Sequence, residues 1–437
     1  MSETAIDDFD LAIRRQALED AAAESFPAAK PIVNVHAHTF FSFNYRGYSP
    51  SHFALESKRR GLAVSGIVEF DCLDGLDEFL AAGRLLDLKT SIGLESRVYL
   101  PEFGDREINS PGEPGISYHM GIGFSSTDIP EEAQTYMDGM RATSAERNRG
   151  LVDRVNSHLD PVVLDYETDV LPLTPSGNAT ERHICVAFGR KAATQFPDED
   201  ALARFWANKL GVPADQVSDL PDGRELTNLL RAKTMKSGGV GYVQPDSGSF
   251  PHMADMNRFV LLCGAIPALT WLDGCSAGEQ AIEELIEVAT STGVAAFNVI
   301  PDRNYTPGSP DQKLQNLKDV VAITERRGLP LIGGTEMNSP GQRFVDDFNS
   351  DALDPLRPAF LKGAHILYAH TVLQGMTGMG YLSDWAENSF SDVFAKNDFF
   401  NAFGETFSPR GEDRLRESLS SDHEPDEVLT LAQIALT

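Results

Sequence analysis

The sequence has few cysteines, few basic residues and no long apolar segment. Only 4 of its 437 residues are cysteine, and Cys72, Cys185, Cys263 and Cys275 lie far apart without a Cys-x-x-Cys pair. This spacing signals neither a disulfide framework nor a thiolate zinc site, so we expect reduced and mostly buried thiols. A run of about 18 apolar residues, which a membrane-spanning helix would need, is absent. We therefore expect no membrane partner.

Basic residues are scarce relative to acidic ones. The chain has 37 Lys and Arg against 65 Asp and Glu, a formal net charge of −28. Such a charge repels nucleic acid and anionic membranes at long range, which favours a small-molecule substrate over a polynucleotide. The acidic first residues lack the basic and apolar regions of a secretory signal, so we expect a cytoplasmic protein. The oligomeric state is left open by these features.

From residue 32 onward, predicted strands and helices alternate. This order is typical of a parallel sheet wound by helices, and the 41% of hydrophobic residues supply material for its core. A single α/β barrel with insertions reaches this length. The composition therefore favours one large α/β domain.

Two histidines follow the first apolar strand. The run at 31–35 leads into His36 and His38, which share a face because alternate residues of a strand point to the same side. Two imidazoles at this spacing can reach one cation such as Zn, Mn or Fe. The alternative is a pair of ordinary polar residues at a strand end.

Further motifs follow this pair in a recognisable order. They are the helix start at Ser49-Pro50, the turn 69–71, the helix start at Asp74-Gly75, and a strand that ends in Ile92-Gly93-Leu94-Glu95. In order and spacing they resemble the PHP (polymerase and histidinol phosphatase) family. The resemblance is strongest in the first third of the chain and weaker up to about residue 340. It implies a distorted (β/α)7 TIM-like barrel whose site lies at the carboxyl ends of the strands.

The pattern of apolar residues and the resemblance together divide the chain. Apolar residues among charges at 9–24 predict an N-terminal helix within residues 1–30, and the resemblance implies a barrel over 31–350. A helical cap insertion at about 130–245 would cover the site, and 351–437 would form a helical tail packed on the barrel. The fold class is therefore α/β.

The family's metal ligands map onto this chain with several replacements. His36, His38, Glu95 and Glu336 retain ligating side chains and imply one Zn, Mn or Fe ion per chain. Glu95 and His119 would hold a second ion weakly, because Trp271 stands where the family has a third ligand. His119 could instead be a strand histidine bonded to a neighbouring carbonyl. Ligands of a third site are replaced by Phe43, Phe70 and Asn338.

Four more residues are assigned roles through the resemblance. Asp71 and Glu69 would orient the attacking water or move protons. Arg182 and His183 match the Arg and His of an Arg-Pro-His-Ile-Ala helix start, where an arginine can clamp a substrate phosphate. A helix-surface arginine is the alternative for Arg182.

The motifs together indicate a metal-dependent hydrolase of small substrates, specifically a PHP-like phosphoesterase with a reduced metal site. A mononuclear enzyme resembling an amidohydrolase or a lactonase is one alternative, since one Lewis acid suffices for acyl transfer. A degenerate barrel that binds a metal or ligand without turnover is the other.

Overall fold

A seven-stranded sheet forms the centre of the computed structural model, which describes residues 5–218, 224–245, 248–306 and 310–437. The strands pair in chain order from β1 to β7. Their bounds are β1 Lys30–Ala37, β2 Leu62–Phe70, β3 Lys89–Tyr99, β4 Ile116–Ile122, β5 Ile266–Trp271, β6 Ala296–Val299 and β7 Leu331–Gly333.

One strand runs against the others. β1 to β3 are mutually parallel and β5 to β7 likewise, whereas β4 is antiparallel to both of its neighbours. The prediction of a parallel sheet is therefore wrong for β4. The reason lies in the connection 100–115, which contains a 3-10 turn at Pro101–Phe103 but no crossover helix. Without a crossover the chain can only return alongside β3 in the opposite direction.

The sheet curls until its first and last strands nearly meet. The His38 amide donates to the Glu336 carbonyl at 2.9 Å, and the Asn34 side-chain amide donates to the Thr335 carbonyl at 3.2 Å. These bonds join the residues around β1 to those after β7, a junction that we call the seam. The fold is thus a distorted seven-stranded TIM-like barrel, as predicted.

Eighteen α-helices are assigned in the described part of the chain. Those between β1 and β4 are α2 Pro50–Arg60 and α3 Leu76–Leu86, and α1 Leu11–Ala21 precedes the barrel. Between β4 and β5 lie α4 Glu131–Leu159, α5 Glu181–Gln195, α6 Glu199–Leu210, α7 Asp215–Ser218, α8 Arg224–Thr234 and α9 Met253–Leu262. Next come α10 Ala277–Gln280, α11 Ile282–Ser291, α12 Asp302–Tyr305 and α13 Asp311–Arg327. After β7 lie α14 Arg357–Thr377, α15 Asp384–Ser389, α16 Val393–Thr406, α17 Glu412–Ser418 and α18 Pro425–Ala435.

Buried apolar side chains form two large clusters. One cluster fills the barrel and reaches the helices after β7, with Val64 and Leu94 from the strands and Phe360 from α14. The other lies among the helices α4 to α8, around Phe188 and Trp206. These helices therefore have a core of their own, and we call them the cap because several of their residues line the cavity described below.

Two glycines let the helices after β7 approach the barrel closely. A Cβ at Gly363 of α14 would lie 1.7 Å from the Leu331 carbonyl oxygen of β7. A Cβ at Gly404 of α16 would lie 2.0 Å from the His365 carbonyl oxygen of α14. Because any larger side chain would force these elements apart, glycine fixes the spacing of two successive layers. None of the helices in the described residues has the length and apolarity needed to cross a membrane.

Candidate metal centre

Four ligating side chains meet at the carboxyl end of the barrel strands. His36 lies near the end of β1 and His38 just beyond it, Glu95 lies on β3, and Glu336 follows β7. All four residues are buried, and each offers an atom within 4.8 Å of the others'. The His-x-His spacing places both rings on one face of β1, as the sequence predicts. The seam brings Glu336 beside them.

Three atoms of this group face one another without hydrogen-bond partners. They are Nε2 of His36, Nε2 of His38 and Oε2 of Glu95, all buried. The Glu95 oxygen lies 3.9 Å from the first nitrogen and 3.6 Å from the second. Around a tetrahedral ion with bonds of about 2.0–2.2 Å, neighbouring ligand atoms lie roughly 3.3 Å apart. Unpaired polar atoms at nearly this spacing fit a divalent metal, which would satisfy all three.

An amide holds the ring of His36. Its Nδ1 lies 3.0 Å from Oδ1 of Asn298 on β6, and the Asn298 amide nitrogen lies 3.4 Å from the Thr270 hydroxyl. Because Thr270 accepts from that nitrogen, the Asn298 oxygen is turned toward His36. Nδ1 of His36 therefore donates to Asn298, and Nε2 is directed into the site.

A hydroxyl and a carboxylate hold His38. Its Nδ1 lies 3.2 Å from the Ser42 hydroxyl, which hydrogen-bonds to Glu69. Glu69 also accepts from the amide and hydroxyl of Thr39, so both of its oxygens are used. Burial raises the pKa of Glu69 to about 7. The structure places Glu69 behind the site as a support for the loop 39–42, and not in the cavity where we expected it to act on water.

The charges of the four residues influence one another. Burial lowers the pKa of His38 to about 3, with a further contribution from His36, so this ring is neutral. Burial also raises the pKa of Glu95. Burial opposes ionisation of Glu336 too, but Arg303, whose Nη2 donates to it at 3.1 Å, holds the pKa of Glu336 below its ordinary value. Neutral imidazole and ionised carboxylate are the forms that bind metals.

A cavity of about 1180 Å³ opens between the barrel and the cap, and Glu95 and Glu336 of the four residues line it. Asp71 lines it, and Oδ1 of Asp71 accepts a hydrogen bond from the Ser96 hydroxyl at 2.5 Å. Its φ of 54° is unusual for a residue other than glycine, and it turns the chain just after β2. Burial raises the pKa of Asp71. Asp71 is therefore placed beside the site with a carboxyl group suited to proton transfer.

The residues at the positions where the resemblance implied lost ligands have different surroundings. The Phe70 ring stacks on His38, with centroids 4.4 Å apart and planes at 14°. Phe43 and Asn338 line the cavity, whereas Trp271 is buried in β5. Within the described residues, only one group of three or more side chains is arranged to hold a metal.

His119 lies apart from this group. Its Nε2 is 2.5 Å from Oδ1 of Asn257 on α9, and the Asn257 amide donates to Thr292. Burial lowers the pKa of His119 to about 4. The side chain thus faces the helices outside the sheet, so β4 does not contribute it to a second metal site with Glu95. The physical reason is the partner on α9, which the sequence pattern of β4 cannot reveal.

The structure separates the two residues expected to bind substrate. Arg182 lines the cavity and donates to Asn228, as a cap residue that faces the barrel. His183 accepts the Thr180 amide at 3.1 Å and caps the start of α5, and its ring lies edge-on to Phe43 at 5.1 Å. His183 is therefore part of the helix start and not of the cavity wall.

Several charged residues of the cavity were not found from the sequence. They are Arg97, Arg147, Arg231, Lys236, Asp302 and Arg303. A signal existed for Asp302 and Arg303, because they follow the buried strand β6 at the end of the barrel where sites form. Arg97 lies on β3, and Arg147, Arg231 and Lys236 lie in or just after helices of the cap, where no strand-end rule applies.

Comparisons with known proteins leave the family open. No protein-family model matches the chain, and no curated protein does. An amidohydrolase from Chromobacterium violaceum, solved with sulfate and no metal, is 17% identical over 71% of this chain and 88% of that one, with a TM-score of 0.48. A proposed metal-dependent phosphoesterase from Bifidobacterium adolescentis is 15% identical over 77% and 98%, with a TM-score of 0.48. Likeness at this level assigns neither a family nor a reaction to this chain.

Proposed function

We propose that this protein is a metal-dependent hydrolase of small anionic substrates, most similar in its chemistry to the phosphoesterases of the PHP family. One observation carries the proposal. His36, His38 and Glu95 direct three buried, unpartnered ligand atoms toward one point, with Glu336 as the fourth ligand, at the floor of a large cavity.

The donor set determines the chemistry. A divalent cation held by two imidazoles and two carboxylates, with one further position open, would supply a Lewis acid and would lower the pKa of a water in that position to about 7. Asn298 and Ser42 keep both rings oriented, which leaves the ligating nitrogens free. Asp71, held by Ser96, takes the proton of the attacking water and returns it to the leaving group. We propose this role for Asp71 alone, since Glu69 lies outside the cavity.

The cations of the cavity support an anionic substrate. Arg182 enters from the cap and Arg303 lies beside Glu336, so guanidinium groups flank the floor from both sides. Guanidinium pairs with phosphate oxygens through two parallel hydrogen bonds. A phosphate ester would accept hydrogen bonds from both guanidinium groups, whereas a neutral amide or lactone offers them no anion.

One observation favours the second candidate, a mononuclear enzyme acting on a carboxylate-bearing amide or lactone. The described residues assemble one group of ligands, and a phosphoesterase with two ions would hold both the attacking and the leaving oxygen. With a single ion, acyl transfer is the less demanding reaction.

The test is a substrate screen with metal analysis. The purified full-length protein is analysed for bound metal and then assayed on phosphate esters, amides and lactones with added Zn, Mn or Fe. We expect about one ion per chain and turnover of phosphate esters, with activity at background in His38→Ala. His423→Ala, which alters a histidine of the helices after β7, is the matched control and should retain full activity.

Each other outcome contradicts a defined part of the proposal. Turnover restricted to amides or lactones would favour the second candidate. Tight metal binding without turnover of any class would favour a binding protein. Equal activity of His38→Ala and wild type would show that the metal centre takes no part in the reaction.

A further inference from the structure

One side of the cavity concentrates positive charge in a strongly acidic protein. Five basic residues line the side of the cavity formed by β3 and the cap: Arg97, Arg147, Arg182, Arg231 and Lys236. We call this group the basic wall. The whole chain has 37 basic residues against 65 acidic ones, so a cluster of this kind runs against the overall composition.

Carboxylates offset only part of this charge. Glu113 accepts from Arg97 at 3.0 Å, and Glu181 is shared by Arg231 at 2.8 Å and Lys236 at 2.9 Å. Asp71 lies near enough to Arg147 and Arg97 to interact electrostatically with both. On this side of the cavity, the described residues therefore comprise five cations and three carboxylates, whereas Glu95, Asp302, Arg303 and Glu336 line the part of the cavity around the metal centre.

Two arginines of the wall have neutral partners. Arg147 donates to the Ser144 hydroxyl at 3.3 Å. Its guanidinium carbon also lies 5.0 Å from the centre of the Phe250 ring, and the guanidinium carbon of Arg97 lies 4.3 Å from the same ring centre. Arg182 donates to the Asn228 side chain. Their guanidinium groups thus retain further N–H donors for a ligand, since each group carries five.

The crowding of like charges has an energetic cost. Burial, together with the charge of Arg231, lowers the pKa of Arg182 to about 10. Burial and the charge of Arg97 lower the pKa of Arg147 in the same way. Partly buried cations that repel one another are stabilised when an anion binds among them.

The basic wall and the metal centre face the same cavity. Arg182 interacts electrostatically with Arg231 in the wall and with Glu336 in the metal centre. Tyr118 on β4 lines the same cavity as Arg231 and Arg303. A cavity of about 1180 Å³ exceeds the volume of a single phosphate and is large enough for a whole small molecule.

We propose that the basic wall is a second subsite, which binds an oxyanion that the substrate carries in addition to the group cleaved at the metal centre. The substrate is then a small molecule with at least two anionic groups. The statement about a substrate rests on the proposed function. Binding of an oxyanion to the basic wall does not, and it can be measured without turnover.

The experiment measures binding of inorganic phosphate to metal-stripped, full-length protein by isothermal titration calorimetry. Without metal, phosphate can bind only through protein groups. We expect binding to the wild type, and a dissociation constant at least about tenfold higher in Arg231→Gln and in Arg147→Gln, as for loss of a charged hydrogen bond. Arg258→Gln is the matched control, because Arg258 pairs with Glu132 at the surface, outside the cavity.

Two further variants separate charge, folding and the metal centre. Arg147→Lys keeps the charge and should bind phosphate more tightly than Arg147→Gln, with both folded by thermal melting. His36→Ala should bind phosphate like the wild type. Succinate titrated in parallel tests the carboxylate form of the same chemistry, and either anion binding through Arg147 and Arg231 supports the subsite.

Failure of the oxyanion subsite can be distinguished from failure of the proposed function. No binding of either anion to the metal-stripped wild type, or equal losses in Arg258→Gln and Arg231→Gln, would overturn it. Phosphate binding that depends on Arg231 in a protein without hydrolytic activity would contradict the proposed function and leave the subsite standing. If the protein hydrolyses substrates with a single anionic group at rates that Arg231→Gln does not change, the basic wall takes no part in substrate recognition.

Discussion

Metal binding at the four-residue group should stabilise the fold by an amount that can be calculated. A ligand that binds only the folded state at 100 times its dissociation constant adds about 2.7 kcal/mol. Unfolding entropy is about 2.1 cal/mol/K per residue, so the 437 residues, unfolding as one unit, give roughly 0.9 kcal/mol/K. The melting temperature should therefore rise by about 3 °C. The rise needs all four ligands, because each of them approaches the same point.

Differential scanning calorimetry of chelator-treated protein, with Zn, Mn or Fe added back, measures this shift. His36→Ala lacks one of the unpartnered nitrogens and should show little or no rise over the same range of metal concentration. His423→Ala controls for weak binding to surface histidines and should respond like the wild type. An equal shift in His36→Ala and wild type, or no shift with any of the three metals, would refute the assignment of this group as a metal centre.

Two further predictions concern groups behind and beside the site. Asn298→Ala removes the acceptor of the His36 Nδ1 proton, so metal affinity should fall roughly 10- to 100-fold. Competition with a chromophoric chelator measures this affinity. An unchanged affinity would mean that other contacts orient His36. Asp346 is buried, neither of its carboxylate oxygens has a hydrogen-bond partner, and burial with the nearby charge of Asp302 raises its pKa to about 7. Between its ordinary pKa and this value the folded state holds a proton that the unfolded state has lost. Stability should therefore fall as pH rises through this window, by up to roughly 1.4 kcal/mol per pH unit. Asp346→Asn should lessen that slope between pH 5 and pH 8 in urea denaturation, while Glu69, whose pKa burial also raises to about 7, still contributes to it. An unchanged slope would place the titration elsewhere.

The sequence predicts the ligand group because its motifs, in their order along the chain, resemble those of the PHP family. His36 and His38 follow an apolar run, and Glu95 and Glu336 each stand on or just after one. The carboxyl ends of parallel strands meet at one edge of a barrel, so three separate local patterns converge in space. The alternation of strands and helices predicts a sheet wound by helices, and the resemblance sharpens that prediction to a barrel.

The remainder of the site depends on partners that are distant in sequence. His119 sits on a correctly predicted strand, yet its role is decided by Asn257, 138 positions away. Glu69 follows the expected turn, but Thr39 and Ser42 occupy its oxygens. The basic wall combines residues of β3 with residues of three cap segments, and helical periodicity does not tell which face of a helix turns toward the cavity.

The reversal of β4 had a sequence signal that is clear in retrospect. The connection between β3 and β4 is rich in glycine, proline and charge and has no helical pattern. A parallel crossover requires about a dozen residues or more and usually a helix. A connection of this kind therefore indicates an antiparallel return.

The seam links the assembly of the site to the order in which the chain is completed. Asn34 bonds to Thr335 across a sequence separation of 301 residues, and the His38 amide bonds to the carbonyl of Glu336, whose side chain is itself a ligand. A contact between residues this far apart in the sequence forms only after most of the chain has been synthesised and packed. A nascent or partly folded chain that lacks β7 has at most three of the four ligands. Full metal affinity is therefore reached only when the barrel closes. A bound ion would then stabilise the completely folded protein but not its folding intermediates.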